Sequence, residues 1–134
     1  MAISANEKVR VAIIGEGAVS DYHHVPAINL DPRAELAAAC YADSDLLQRR
    51  KLEWGIEDVT TDFDSLCVRD DIDAVIIATP NFTHRPMALA AAAGGKHIMC
   101  EKPLGLNAQE VRDMYHAARD AKVVHMTAFT YRFA

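Results

Sequence analysis

The sequence predicts an α/β fold: a doubly wound parallel sheet of about six strands with helices on both faces. Three observations predict it. Short apolar, often β-branched runs alternate with stretches of helical periodicity along the chain. The clearest of these runs are apolar almost throughout, as strands covered on both faces are. A glycine turn leaves the first run and opens a helix. Strict alternation implies parallel strands joined by right-handed crossovers. It places ligands outside the carboxyl ends of the strands, near the switch point of the strand order.

Each element has its own signal. Val9–Ile14 (VRVAII) is a short β-branched run ending in glycine. The helical segment after it carries Pro26 late in its length. Pro26 should end or kink that helix, because it lacks an N–H and clashes with the preceding turn. Ala34–Tyr41 is Ala-rich, so its reading as a strand rests on context more than propensity. Asp43 or Ser44 starts a helix that runs through Leu46, Leu47 and Arg50 to about Trp54. Asp58–Thr61 is a weak third strand. Asp62 caps a short helix with Phe63 and Leu66 on its buried side. Ala74–Ala78 is the most apolar strand. Arg85 to Ala93 forms an Ala-rich helix stopped by Gly94-Gly95. His97–Cys100 is the fifth strand. Asn107 caps the last helix with Glu110 in a capping box, and Val111, Met114, Tyr115 and Ala118 should share its buried face. Val123–Phe129 is the sixth strand.

Composition narrows the function. The 134 residues carry 14 Lys+Arg against 19 Asp+Glu, a net charge of −5, and 51% of them are hydrophobic. That is ordinary for one globular domain. No basic block exists to neutralise phosphates, which argues against a nucleic-acid or membrane-surface partner. No apolar stretch approaches the roughly 18 residues of a membrane helix, and the N-terminal MAISANEKVR lacks the apolar core of a signal peptide. Cys40, Cys67 and Cys100 are too few and too scattered for a disulfide framework or a zinc site, so no metal is expected. The simplest location is the cytoplasm.

Gly15-Glu16-Gly17-Ala18-Val19-Ser20 follows the first strand as a G-x-G-x-x-S turn. Gly15 permits the tight turn. Gly17 leaves room for a pyrophosphate to approach the backbone. Ser20 must be small for close packing of helix on sheet. The helix N-terminus then offers N–H groups and a positive dipole end to the phosphates. The plainer alternative is a glycine turn without a ligand. A Rossmann-type dinucleotide site also needs an acidic residue after the second strand, about 20 residues past the glycines. Asp43 stands near that place, where a carboxylate accepts the ribose hydroxyls of NAD and repels the 2′-phosphate of NADP. Asp43 also reads as a simple cap for the helix it precedes. Arg49 and Arg50 lie too far along that helix to favour NADP, so NAD is the expected cofactor.

Three further motifs occur: Ala78-Thr79-Pro80-Asn81-Phe82-Thr83-His84, Gly95-Lys96-His97-Ile98-Met99-Cys100-Glu101-Lys102-Pro103 and Tyr131-Arg132-Phe133. With the glycine loop, they make residues Val9 to Phe133 resemble the N-terminal domain of the Gfo/Idh/MocA oxidoreductases. That family includes glucose–fructose oxidoreductase and inositol 2-dehydrogenase. The resemblance implies that Gly15, Gly17, Ala18 and Val19 hold the pyrophosphate and that Asp43 holds the adenosine ribose. It implies that Thr79, Pro80, Asn81 and His84 line the cofactor cleft. It places Glu101 and Lys102 where nicotinamide meets substrate, with Lys102 as the catalytic lysine and its bond to Pro103 often cis in relatives. The implied reaction passes hydride between the nicotinamide and a hydroxyl of a sugar, cyclitol or related polyol. Full-length relatives are expected to be homo-oligomers.

Chemistry supports Lys102 independently. Oxidising a secondary alcohol requires the hydroxyl to be held and its proton removed, and an ammonium there stabilises charge developing on the oxygen. Glu101 should point the other way and organise cofactor contacts, or serve structure alone. His23 and His24 are adjacent and diverge on a helix, so they are not expected to pair on a metal. His97 and His125 read as packing or edge residues. Cys100 looks like a nucleophile by position, but hydride transfer needs no thiol and cysteine is often a small buried apolar residue. The alternative reading is a non-catalytic regulatory or truncated dinucleotide-binding module. The length fits one dinucleotide-binding domain spanning residues 1–134. The substrate and oligomerisation domain of the family is then not in this sequence, and these residues alone are expected to bind cofactor without turnover.

Overall fold

The computed structural model describes residues 7–15 and 17–134. Most of the N-terminal segment read for a signal peptide, and Glu16 of the glycine turn, lie outside them. Six parallel strands form one sheet: β1 (Val9–Ile14), β2 (Ala34–Cys40), β3 (Val59–Thr60), β4 (Ala74–Ile77), β5 (His97–Cys100) and β6 (His125–Thr127). Their order is β3-β2-β1-β4-β5-β6. The chain thus starts in the middle, winds outward one way, then returns to wind the other way. The switch falls between β1 and β4. The third and sixth strands are shorter than the sequence predicts, as strands pairing along one side only tend to be.

Alternation along each strand feeds two cores. Ala12, Ile14, Val75, Ile77, Ile98 and Cys100 face Leu66 of α3 (Phe63–Cys67), Ala88, Ala91 and Ala92 of α4 (His84–Ala93), and Met114 of α5 (Ala108–Asp120). Val11, Ile13 and Ile76 cluster instead with Val25 and Ile28 of α1 (Val25–Leu30), and Ala39 with Leu47 of α2 (Ser44–Trp54). Helices therefore cover both faces, as the pattern predicts.

Helix starts follow local chemistry. Asp62 caps α3 by accepting from Ser65 N, and Asn107 caps α5 by accepting from Glu110 N. Glu110 does not close a regular capping box: its Oε2 accepts from Leu106 N, 2.8 Å away, one residue before the cap. Tyr115 also departs from expectation, being 58% exposed and set against the His116 ring. The buried stripe runs through Val111, Met114, Ala117 and Ala118. Tyr115 lies about 100° round the helix from its centre at 3.6 residues per turn.

Pro26 neither ends nor breaks its helix. Residues 18–30 are continuously helical, but Ser20–His24 forms a π-turn in which the Val25 N–H donates to Ser20 O. The wider turn precedes Pro26 directly and absorbs the irregularity there.

Gly94 ends α4 against the chain of α3, where a Cβ would stand 2.0 Å from the Cys67 carbonyl oxygen. Gly17 has nothing within 4 Å of such an atom. Gly94→Ala should therefore cost about 1–3 kcal/mol in urea denaturation. Gly17→Ala should stay within about 0.5 kcal/mol of the parent. Equal stabilities would contradict this packing.

Candidate functional site

Because all six strands are parallel, their carboxyl ends share one edge. Ile14 pairs with Cys40 and with Ile77, and Cys100 pairs with Ile77 and with Thr127. The residues that follow each strand therefore emerge together: Gly15 after β1, Asp43 beyond β2, Thr79 after β4, Glu101 and Lys102 after β5.

Gly15 joins β1, β2 and β4. Its φ is +106°, and a Cβ on it would lie 2.4 Å from Ala78 O, so only glycine allows β1 and β4 to exit side by side. Its N–H donates to Cys40 O at 3.0 Å. Its carbonyl accepts the Ser20 hydroxyl at 2.8 Å. Ser20 is completely buried. It is thus small, as expected, and also the hydroxyl that locks the turn to the helix. Gly17, Ala18 and Val19 are exposed at the helix start. The open space over Gly17 and the N-terminal helix end form a cradle that suits a pyrophosphate.

Asp43 caps α2. Its Oδ1 accepts from both Asp45 N and Leu46 N at 3.0 Å. Both bonds use one oxygen, so capping leaves Oδ2 to other donors. Arg50 is committed elsewhere: it bridges Asp21 and Glu53 and lies over the Trp54 ring. Trp54 donates in turn to Asp21, tying α2 to the π-turn.

Thr79, Pro80 and Asn81 form a turn, with Asn81–Thr83 a single 3-10 turn. Thr79 Oγ1 sits 2.6 Å from Thr83 Oγ1. Pro80 and Asn81 are exposed. His84, expected to line the cleft, is only 1% exposed. Its Nε2 is 2.9 Å from Thr79 O and its Nδ1 is 3.0 Å from Pro103 O. The ring therefore lies beneath the two loops and staples them together. A carbonyl only accepts, so a neutral ring satisfies one of these partners at a time and a protonated ring both.

A cleft of about 610 Å³ opens beside this edge. Val19, Glu101 and Lys102 are the expected site residues that line it, and Met126, Phe129 and Tyr131 line it as well. Gly15, Gly17, Ala18, Asp43, Thr79, Pro80 and Asn81 belong to the same edge but are not among its lining residues. Lys102 is exposed, and the peptide bond to Pro103 is cis. Glu101 is held by His24, whose Nε2 is 2.8 Å from Oε1. That partner was not legible in the sequence: the two lie 77 residues apart, and the π-turn that orients His24 has no sequence signature beyond Pro26. Cys100 is fully buried, and burial pushes its thiol up to about 12, so it is not a thiolate at neutral pH. Among the described residues, no group of His, Cys, Asp and Glu is arranged to hold a metal ion, and no helix is long and apolar enough to cross a membrane.

Comparison with known proteins places this geometry in context. A family model described as an oxidoreductase family with an NAD-binding Rossmann fold matches residues 9–129. Levoglucosan dehydrogenase of Pseudarthrobacter phenanthrenivorans is 38% identical over 94% of this chain and 34% of its own length. The crystal structure of myo-inositol 2-dehydrogenase from Lactobacillus plantarum superposes with a TM-score of 0.87 at 32% identity, over 96% of this chain and 38% of that one. A 3-ketoreductase from Actinomadura kijaniata, in complex with TDP-benzene and NADP, gives 0.89 at 27% identity over 96% of this chain and 40% of that one. The chain spans little more than a third of the length of these relatives.

Replacing His84 by Leu removes the ring that bridges the Thr79 and Pro103 carbonyls beneath the site. His84→Leu should lower stability by about 1–3 kcal/mol in urea denaturation. An unchanged midpoint would show that the staple contributes nothing.

Proposed function

This chain belongs to the Gfo/Idh/MocA oxidoreductase family, and from that premise we propose that it serves hydride transfer between NAD and a secondary hydroxyl of a sugar, cyclitol or related polyol. One observation carries the reading. The glycine cradle, a carboxylate with one oxygen left over from capping, and the Glu101-Lys102 pair all stand on one sheet edge beside a cleft. The names of relatives, levoglucosan dehydrogenase and myo-inositol 2-dehydrogenase among them, support the substrate class.

The bound nicotinamide supplies the hydride acceptor. The remaining roles fall to the chain. Gly15, Gly17, Ala18 and Val19 bring backbone N–H groups and open space to the pyrophosphate. Asp43 offers Oδ2 to the adenosine ribose and favours NAD, since a 2′-phosphate would meet its negative charge. The engagement of Arg50 with Asp21 and Glu53 supports the same preference. Thr79, Pro80 and Asn81 border the cofactor, with His84 supporting them from below. Glu101 organises the nicotinamide side. The Lys102 ammonium orients the substrate hydroxyl and stabilises charge on its oxygen as the proton leaves. In this reading a second domain of the whole protein supplies the remaining substrate contacts.

Titration calorimetry with NAD and NADP tests the cofactor. Asp43→Asn keeps a capping side chain but removes the charge. The loss of a charge-assisted bond, about 1.5–3 kcal/mol, should weaken NAD about tenfold or more and narrow its advantage over NADP. Tighter NADP binding by the parent protein would refute the role of Asp43. For the chemistry, the whole protein, second domain included, is assayed with NAD and a panel of levoglucosan, myo-inositol, D-xylose and D-glucose. Lys102→Ala should lower kcat by about 100-fold or more and leave NAD affinity within about threefold. Undiminished turnover would sink that assignment.

A further inference from the structure

The helix after the glycine turn and the end of β5 meet at one polar contact in the cleft wall. His24 Nε2 and Glu101 Oε1 are 2.8 Å apart, and their side chains are only 11% and 13% exposed. The carboxylate only accepts, so His24 carries its proton on Nε2. The other oxygen, Oε2, accepts the Lys102 backbone N–H at 3.2 Å. Glu101 is therefore held at both oxygens.

The π-turn explains how His24 reaches it. In an α-turn the fourth residue onward from Ser20 would stack above it and face the sheet; that residue is His24. In the π-turn the fifth residue does so instead. Val25 takes that place and is buried with Ile28, while His24 turns aside towards Glu101. The helix keeps its apolar line and places an imidazole beside it.

Lys102 is next in the chain, and among the described residues no carboxylate lies within ion-pair distance of its ammonium. A carboxylate released one residue from an ammonium that lines the same cleft would be drawn to it. The other charged or titratable group lining the cleft from this helix is His23, while Asp21 is occupied by Arg50 and Trp54.

We infer that His24 is a positioning residue: it holds the Glu101 carboxylate towards the π-turn and so leaves the Lys102 ammonium open to a substrate oxygen. The inference rests on the dehydrogenase reading above. A double-mutant cycle in the whole protein tests it, with kcat on the best substrate of the panel and NAD affinity as separate readouts. His24→Ala should lower kcat about tenfold or more while NAD affinity changes less than about threefold. His24→Gln, whose amide N–H still reaches the carboxylate, should recover most of the loss. In a Glu101→Gln background, His24→Ala should cost less than about threefold. An equal cost in both backgrounds, or no cost in the parent, overturns the inference while leaving the dehydrogenase reading intact. A parent protein that binds neither NAD nor NADP, or transfers no hydride on the panel, overturns both.

Discussion

A Cβ on Gly15 would stand 2.4 Å from the Ala78 carbonyl oxygen, and the functional edge depends on that missing atom. Two backbones leave the sheet in contact because nothing separates them. The same residue bonds to Cys40 through its N–H and to Ser20 through its carbonyl, so the exits of β1, β2 and β4 and the start of the first helix share one anchor. Displacing β4 from β1 would move Thr79, and through the His84 ring would disturb Pro103 as well. The glycine cradle and the lysine loop are thereby parts of one rigid arrangement, although 87 residues of sequence separate Gly15 from Lys102.

Much of this was legible because it is local. Asp62 and Asn107 cap their helices through bonds to backbone three residues on, well within the reach of sequence patterns. Apolar runs such as Ala74–Ile77 state their burial directly, since both faces of the sheet are covered. The Rossmann strand order follows from alternation and crossover geometry. The glycine turn was legible through its context, leaving a strand and opening a helix.

The remainder depends on contacts across the fold. Tyr115 satisfies helical spacing from Val111 yet falls on the wrong shoulder of the stripe, because the sheet and α4 set where the stripe is centred. His84 reads as a residue of the cleft motif, but its ring turns inward because two carbonyls there need a donor. Asp43 presented two readings as alternatives, and the geometry forces no choice between them: Oδ1 caps α2, which leaves Oδ2 outside the cap. His24 is the clearest case. Its partner is set by three-dimensional packing, and its direction by a helix irregularity visible in sequence only as a proline.

The π-turn carries a consequence for how this domain tolerates changes in length. A π-turn is what a helix makes of one extra residue, so residues 20–24 contain a stored insertion. Deleting one residue there would restore a regular helix and keep the apolar register of Val25 and Ile28. Ser20 and Val25 would then stay in register, but the turn would have no surplus residue to set aside, and the imidazole that reaches Glu101 would lose its place. The segment is thus a length constraint as well as a sequence: its count of residues lets one helix keep its apolar line and still send an imidazole to the end of β5.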